Sequence, residues 1–252
     1  MPTTIRMKQV NKVYMTGKIP FHALKDVDFQ VEQGDFVAIM GPSGSGKSTL
    51  MNLIGLLDEP TSGSYEMNGI DLKDLTDDDR AYLRNQEIGF IFQSFHLLPQ
   101  LTLLENVELP LIYAAVPGRE RKERAQTALE EVGLARWQDH RPLEVSGGQM
   151  QRTSIARALV TQPALILADE PTGNIDSQAS TEVMKLITSF NEAGTTVVLI
   201  THERDIAEYA RRLVFIRDGR LSEEQMLKNT VKSAGTFSAA SSTSSTAEVN
   251  HV

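Results

Sequence analysis

Phe36-Val-Ala-Ile-Met40, followed by Gly41-Pro42-Ser43-Gly44-Ser45-Gly46-Lys47-Ser48-Thr49, decides the fold. Five consecutive apolar residues without alternation suit a parallel strand buried on both faces. The glycine-rich stretch fits the pattern G-x-x-x-x-G-K-[ST], and Leu50, Leu53, Ile54 and Leu57 recur behind it at helical spacing. Strand, glycine loop and helix in that order make a phosphate cradle. The glycines let backbone amides turn inward around phosphate oxygens, and the helix start adds its positive dipole end. Lys47 supplies a point charge to the β- and γ-phosphates, and the Ser48 hydroxyl supplies a ligand for Mg²⁺.

Outward from this core, Ala164 to Ala168 and Thr196 to Ile200 are further apolar runs, and Ala179, Val183, Leu186 and Phe190 recur at helical spacing before the last of them. The predicted class is α/β with a mostly parallel central sheet. Residues 1 to about 35 read as short strands, because Val27, Phe29 and Val31 alternate with Asp28 and Gln30, the period of an antiparallel strand with one wet face. Residues about 101–163 lack a comparable strand and turn helical. Arg119-Glu-Arg-Lys-Glu-Arg124 reads there as a solvated helix face with pairs such as Glu120 to Arg124. This segment is expected to be an inserted helical subdomain within a single unit over residues 3–225. From residue 228 the chain changes character: Ser233 to Ala247 holds six serines, three threonines, four alanines and one aromatic, Phe237, the composition of a flexible tail.

The chain has 252 residues, enough for one large domain or one domain with a subdomain. The longest uncharged stretch, Ile88 to Leu104, is interrupted by polar residues and is shorter than the ~20 apolar residues that span a bilayer. Met1 to Lys12 has no apolar region of the kind a secretory signal needs. With no cysteine there is no disulfide framework, thiolate metal site or cysteine nucleophile. A net charge of -8 repels polyanions, so nucleic acid is not the expected partner.

A nucleotide site also needs a carboxylate near the metal at the end of a neighbouring buried strand, and Asp169-Glu170 follows Ala164-Leu-Ile-Leu-Ala168. Neighbours in a strand point to opposite faces, so the two can do different jobs. Asp169 is the candidate for the Mg²⁺ shell and Glu170 for polarising the attacking water.

Val145-Ser146-Gly147-Gly148-Gln149, followed by Met150-Gln-Arg152-Thr-Ser-Ile-Ala-Arg157-Ala-Leu, lies shortly before that acidic pair. With these residues the chain resembles the ATP-binding subunits of ABC transporters, departing from the commoner signature only by Val145 in place of leucine. The resemblance spans residues about 3 to 225 in the family's order: phosphate loop, Gln93 in Phe90-Ile-Phe-Gln-Ser, signature, Asp169-Glu170-Pro-Thr-Gly173, Asn174-Ile-Asp176, then Thr201-His202. It implies a P-loop cassette with an antiparallel β subdomain beside the core sheet. Ser146, Gly147, Gly148 and Gln149 at a helix start would hold the γ-phosphate of a second copy's nucleotide in a head-to-tail dimer, with Asp176 linking the two sites. Gln93 would sense Mg²⁺ and the attacking water, and His202 the γ-phosphate. Tyr14 resembles the aromatic that stacks on adenine, with Phe21 as a nearby alternative.

Within the family the chain is similar to cassettes of the macrolide-exporter and lipoprotein-release type (MacB-like, LolD-like), carried by Asn52 to Asp58, Pro60 to Tyr65, Phe90 to Pro99 and Gly173 to Ser177. That likeness implies an ATPase on the cytoplasmic face of the cell membrane. It would power a separately encoded integral membrane permease for export or release of lipoprotein, peptide or hydrophobic drug. Two alternatives are a cassette that regulates cell-wall hydrolysis through a permease that moves nothing, and a non-transport ABC ATPase. A simple P-loop kinase would leave Ser146 to Gln149 without a job. Permease docking is expected on the surface that begins just after Gln93 and continues into the helical subdomain, with Phe95, Leu97, Leu98 and Leu101 as contacts, unless those residues fill the cassette's own core.

Overall fold

A computed structural model describes residues 3–17 and 19–226, so the expected tail from 228 lies outside the described residues. Two sheets organise the chain. The four-stranded sheet has the order β2-β1-β4-β5 and is antiparallel throughout, with β1 Thr3–Thr16, β2 Ile19–Glu32, β4 Ser62–Met67 and β5 Ile70–Asp71. The six-stranded sheet has the order β10-β9-β3-β8-β7-β6, where β3 is Phe36–Met40, β6 Ile88–Phe92, β7 Leu165–Asp169, β8 Thr196–Ile200, β9 Arg212–Arg217 and β10 Arg220–Met226. All its pairings are parallel except β9 with β10.

The apolar runs over residues 36–40 and 196–200 form strands with the bounds read from the sequence, and the run from Ala164 forms β7 from Leu165. Every residue of β8 is buried. The amino-terminal strands are not short, however. β1 and β2 run 14 residues each as one long hairpin, since a ribbon that bulges at several points can keep pairing while it twists.

Three strands of the larger sheet carry weaker signals. β6 contains Gly89, where an added Cβ would stand 2.3 Å from the Ala158 carbonyl oxygen, so close packing by a helix costs the strand an apolar residue. β9 hides Leu213, Val214 and Ile216 between arginines, and β10 is mostly polar.

Helix α1, Lys47–Ile54, buries Leu50, Leu53 and Ile54 completely, each worth about 1.5–3 kcal/mol relative to exposure. Leu57 falls beyond the helix end and is exposed. The stretch α2 Asp77–Glu87 buries no side chain and is held by a Thr76–Asp79 capping box. Helices α3 Leu103–Tyr113, α4 Gly118–Glu131 and α5 Gly147–Leu159 fill the strand-free segment, and the Arg124–Glu120 pair forms at 2.6 Å. α6 Ser177–Glu192 and the four-residue α7 Arg204–Ala207 complete the helices.

Two apolar clusters flank the larger sheet. One joins Ala38, Ile166 and Val197 to Leu103, Val107, Leu129 and Ile155 of the helical segment, so that segment shares the sheet's core. The other joins Val37, Ile39 and Leu167 to α1 and the antiparallel sheet.

Candidate nucleotide site

In a parallel sheet every strand leaves at the same edge, and ligands collect outside the carboxyl ends of the strands. Here β3 runs into Gly41, β6 into Gln93, β7 ends at Asp169 with Glu170 next, and β8 runs into Thr201 and His202. Register keeps these ends level: Ile39 is opposite Ile200, Ile200 opposite Asp169, and Asp169 opposite Phe92. Residues far apart in sequence are thereby assembled at one edge.

The loop from Gly41 to Gly46 takes backbone shapes that side chains resist. Gly44 and Gly46 lie at φ 75° and 108°, and a Cβ on Gly41 would stand 2.2 Å from the Ile216 carbonyl oxygen. Where Thr76, Thr102, Ser146 and Asp176 cap their helices with side-chain oxygens, α1 has no side-chain cap at all. Its first amides stay open to an anion. The Lys47 ammonium meanwhile donates to the carbonyls of Gly41 at 2.7 Å and Pro42 at 2.9 Å. Among the described residues, buried Ser45 Oγ has no hydrogen-bond partner.

Burial pushes the Asp169 carboxyl up, the adjacent charge of Glu170 pushes it further, and Lys47 opposes both. A cation at this place would relieve both effects. Ser48 is exposed, and its hydroxyl, the Asp169 carboxylate and the Gln93 amide oxygen are hard oxygen donors. Among the described residues no group of three or more His, Cys, Asp or Glu forms a cage. One carboxylate beside a hydroxyl suits Mg²⁺, which keeps its waters and shares phosphate oxygens.

Glu170 sits at φ 45°, a left-handed conformation that costs a non-glycine residue about 1–3 kcal/mol. Its carboxylate meets His202 Nδ1 at 2.7 Å and accepts from the Thr201 hydroxyl at 3.3 Å, while its amide donates to the Ile200 carbonyl. The hydrogen bond and charge of Glu170 raise His202 above the usual imidazole value, although the His202 side chain is 67% exposed. Gln93 reaches the same place across Gly173, where a Cβ would stand 2.4 Å from its amide nitrogen.

Ser146 caps α5 through a box in which Gln149 N donates to Ser146 Oγ and Gln149 Oε1 accepts from Ser146 N. Gly147 and Gly148 open the helix, and Gly148 packs so closely on Ala179 that a Cβ would stand 2.8 Å from it. Asp176 is exposed and caps α6 at Ala179 N. Among the described residues, Ser146 to Gln149 form no hydrogen bond with the phosphate loop of their own chain.

Tyr14 lies opposite Phe21 in the long hairpin, and Phe21 is 57% exposed. The Tyr14 hydroxyl donates to Asp58 Oδ2 at 2.7 Å, and the Lys12 ammonium, paired with Asp58 Oδ1 at 2.5 Å, lies 4.9 Å from the Tyr14 ring centre. Burial first, and then Asp58, raise the Tyr14 phenol above its usual value.

Two side chains in this arrangement carry no signal of their own in the sequence: Asp58, and Thr201, which donates to the Glu170 carboxylate. Neither residue type nor spacing names a role for them.

Of the residues expected to meet a permease, Phe95, Leu97 and Leu101 are half-buried, Leu98 is 41% exposed, and none belongs to either core cluster. Buried Asn106 pins this loop by donating to the carbonyls of Leu98, Leu101 and Thr102. A largely apolar groove of 760 Å³ opens beside it instead, between α2, β6 and the end of α3, with Leu57, Tyr82, Phe90, Leu109 and Tyr113 along its walls.

The family model for ABC transporters matches residues 24–173. An ABC transporter ATP-binding protein of Bacillus subtilis, YknY, is 52% identical over 217 residues, covering 86% of this chain and 94% of that protein. The macrolide export ATP-binding/permease protein MacB of Bdellovibrio bacteriovorus is 47% identical over 89% of this chain, which spans only 34% of that longer protein. Among solved structures, a dimeric post-hydrolysis state of the ATP-binding cassette MJ0796 of Methanocaldococcus jannaschii, bound to ADP and Pi, superposes with a TM-score of 0.82 at 45% identity, over 89% of this chain and 99% of that one. Shared strand ends, shared loops and this degree of identity over nearly the full length of the single-cassette relatives lead to one conclusion: the chain belongs to the ABC transporter family, as an ATP-hydrolysing cassette.

Proposed function

We propose that this chain is the motor of a transporter whose membrane permease comes from another gene. In this reading two copies close head to tail on two ATP molecules with Mg²⁺, at the cytoplasmic face of the membrane. The observation that carries it is the assembly of the phosphate cradle, Asp169, Glu170, Gln93 and His202 at one sheet edge, with Glu170 held at 2.7 Å by His202. The dimeric MJ0796 cassette supports a pair of copies, and the name of the Bdellovibrio relative, macrolide export ATP-binding/permease protein, supports export; the cargo proposed with it is a lipoprotein, peptide or hydrophobic drug. Among the described residues no helix is long and apolar enough to cross a membrane, which fits a partner that supplies the membrane part.

On ATP binding, Lys47 exchanges the Gly41 and Pro42 carbonyls for phosphate oxygens, and the uncapped start of α1 takes the remaining charge. Ser48, Asp169 and Gln93 would hold Mg²⁺, which when bound would supply charge neutralisation on the phosphates. Glu170 orients a water and accepts its proton as the water oxygen bonds to the γ-phosphorus; the bond to the β-phosphate oxygen breaks, leaving ADP and phosphate. His202 holds the Glu170 carboxylate in place and reaches the γ-phosphate. Tyr14 presents its ring to adenine, while Ser146 to Gln149 and Asp176 serve the partner copy's site.

Glu170→Gln keeps the shape and removes the proton acceptor. Turnover should fall by roughly 100-fold or more, with ATP affinity kept and an ATP-bound dimer accumulating on size-exclusion chromatography. Near-normal turnover would remove Glu170 from its role. For the permease, the groove is the docking place this reading favours over the Leu98 loop. Tyr113→Glu should abolish permease-stimulated hydrolysis and spare basal hydrolysis, whereas Leu98→Glu should do less.

A further inference from the structure

The turn that carries Gln93 is held by the side chains of other elements at four of its five carbonyls. Gln151 donates to the Phe92 carbonyl at 3.4 Å, Asn174 to that of Gln93 at 3.0 Å, and Arg157 to those of Phe95 at 2.7 Å and His96 at 2.5 Å. Phe95 and His96 are consecutive non-glycine residues in left-handed conformation, with φ of 58° and 49°. Such a pair persists only where its surroundings over-determine it. The His96 ring also packs 4.8 Å from that of Phe92.

Arg157 is an unusual holder. It stands on α5, it is half-buried, and among the described residues no carboxylate forms an ion pair with it. Burial pulls it down to about 10, so it stays charged at neutral pH. A charge partly withdrawn from water with carbonyls as partners is costly unless its fork geometry is needed. The same helix begins at Ser146, eleven residues earlier, about 16 Å away at 1.5 Å per residue. Gln151, between the two, also donates to the Pro171 carbonyl at 2.6 Å, next to Glu170. His96, Phe92 and Arg157 all line the apolar groove.

We propose that Arg157 is a positioning residue that fastens the Gln93 turn to helix α5, so that Gln93 at a chain's own γ-phosphate and Ser146 to Gln149 offered to the second copy are set together. The inference rests on the proposed roles of Gln93 and Ser146. A part of the protein pressing on the groove would act on both at once.

The test uses the purified full chain and its Arg157→Lys, Arg157→Gln, Gln93→Ala and Gln93→Ala/Arg157→Gln variants. It measures affinity for a fluorescent ATP analogue, kcat and KM for ATP, thermal midpoint, and ATP-dependent dimerisation in a Glu170→Gln background. Arg157→Gln should lower kcat at least 10-fold and remove the dimer while nucleotide affinity stays within about threefold. Arg157→Lys, which keeps the charge but cannot hold two carbonyls in a fork, should melt close to the unmodified protein yet lose three- to tenfold in kcat. The double variant should be no slower than the slower of Gln93→Ala and Arg157→Gln. If the glutamine variant does not fold, the lysine variant decides. Unmodified kcat and dimerisation in a folded Arg157 variant, alongside an impaired Gln93→Ala, would overturn the clamp. An unimpaired Gln93→Ala would instead overturn the role of Gln93, and the clamp with it.

Discussion

In the proposed site the two sheets would meet the same nucleotide by different means. At its carboxyl edge the six-stranded sheet offers loops: strands buried on both faces have no side chains to spare, so chemistry moves into the residues just past them. The long antiparallel hairpin has one wet face and offers side chains from the strand itself, Tyr14 beside Lys12 and opposite Phe21. Phosphate is held by backbone and fixed charge, which demand glycines and a lysine at set spacing. A base is held by a ring face, which many sequences can supply. The phosphate end is therefore rigid in its demands, and the base end is tolerant.

That contrast can be broken at several points. Lys47→Ala should have the largest effect on binding, about 100-fold in ATP affinity, because a charge-assisted contact is lost with no substitute; equilibrium titration with a fluorescent nucleotide reads it. Tyr14→Ala should raise KM for ATP by about tenfold, the scale of base–aromatic stacking, and leave kcat alone. Equal sensitivity of GTP and ATP to that change would show that the ring does not read the base. Asp58→Asn, which loosens the Lys12–Tyr14 arrangement without touching the phosphates, should raise KM only about threefold.

The smallest effect is on stability. His202 is raised in the folded state, so its bond to Glu170 contributes fully below the ordinary imidazole value of about 6.5 and fades as pH climbs through the raised one. Because the side chain is mostly exposed, His202→Gln should lower the nucleotide-free melting midpoint by only about 1–2 °C at pH 6, with the gap closing by about pH 9. A gap that widens with pH would mean the imidazole is held neutral.

Legibility in the sequence follows the same divide. Gly41 to Ser48, Asp169 and Glu170 could be proposed as site residues because each residue type answers a demand of phosphate or metal, and the strands at 36–40 and 196–200 could be read because full burial leaves an uninterrupted apolar stretch. Gln93, His202 and Ser146 needed the family's pattern, since glutamine, histidine or serine after a strand or before a helix usually caps or packs. β6 and β9 were hidden by Gly89 and by flanking arginines. The groove that the proposed reading favours for docking was hidden for a related reason. Leu97, Leu98 and Leu101 are apolar neighbours in the chain, whereas the groove is gathered from Leu57, Tyr82, Leu109 and Tyr113, which share no local pattern.

The sequence by itself determined the class of fold and the presence of a nucleotide cradle, because strand burial, glycine conformation and a lysine at fixed spacing are local consequences of residue type. Only the tertiary structure decided which groups meet: Glu170 with His202 across 32 positions, Tyr14 with Asp58 across 44, Arg157 with the carbonyls of Phe95 and His96 across 62 and 61. The first follows from parallel register, the second from the antiparallel hairpin meeting the loop after α1, and the third from one helix packing against one strand. All three are set by the whole core, and no stretch of chain encodes them alone.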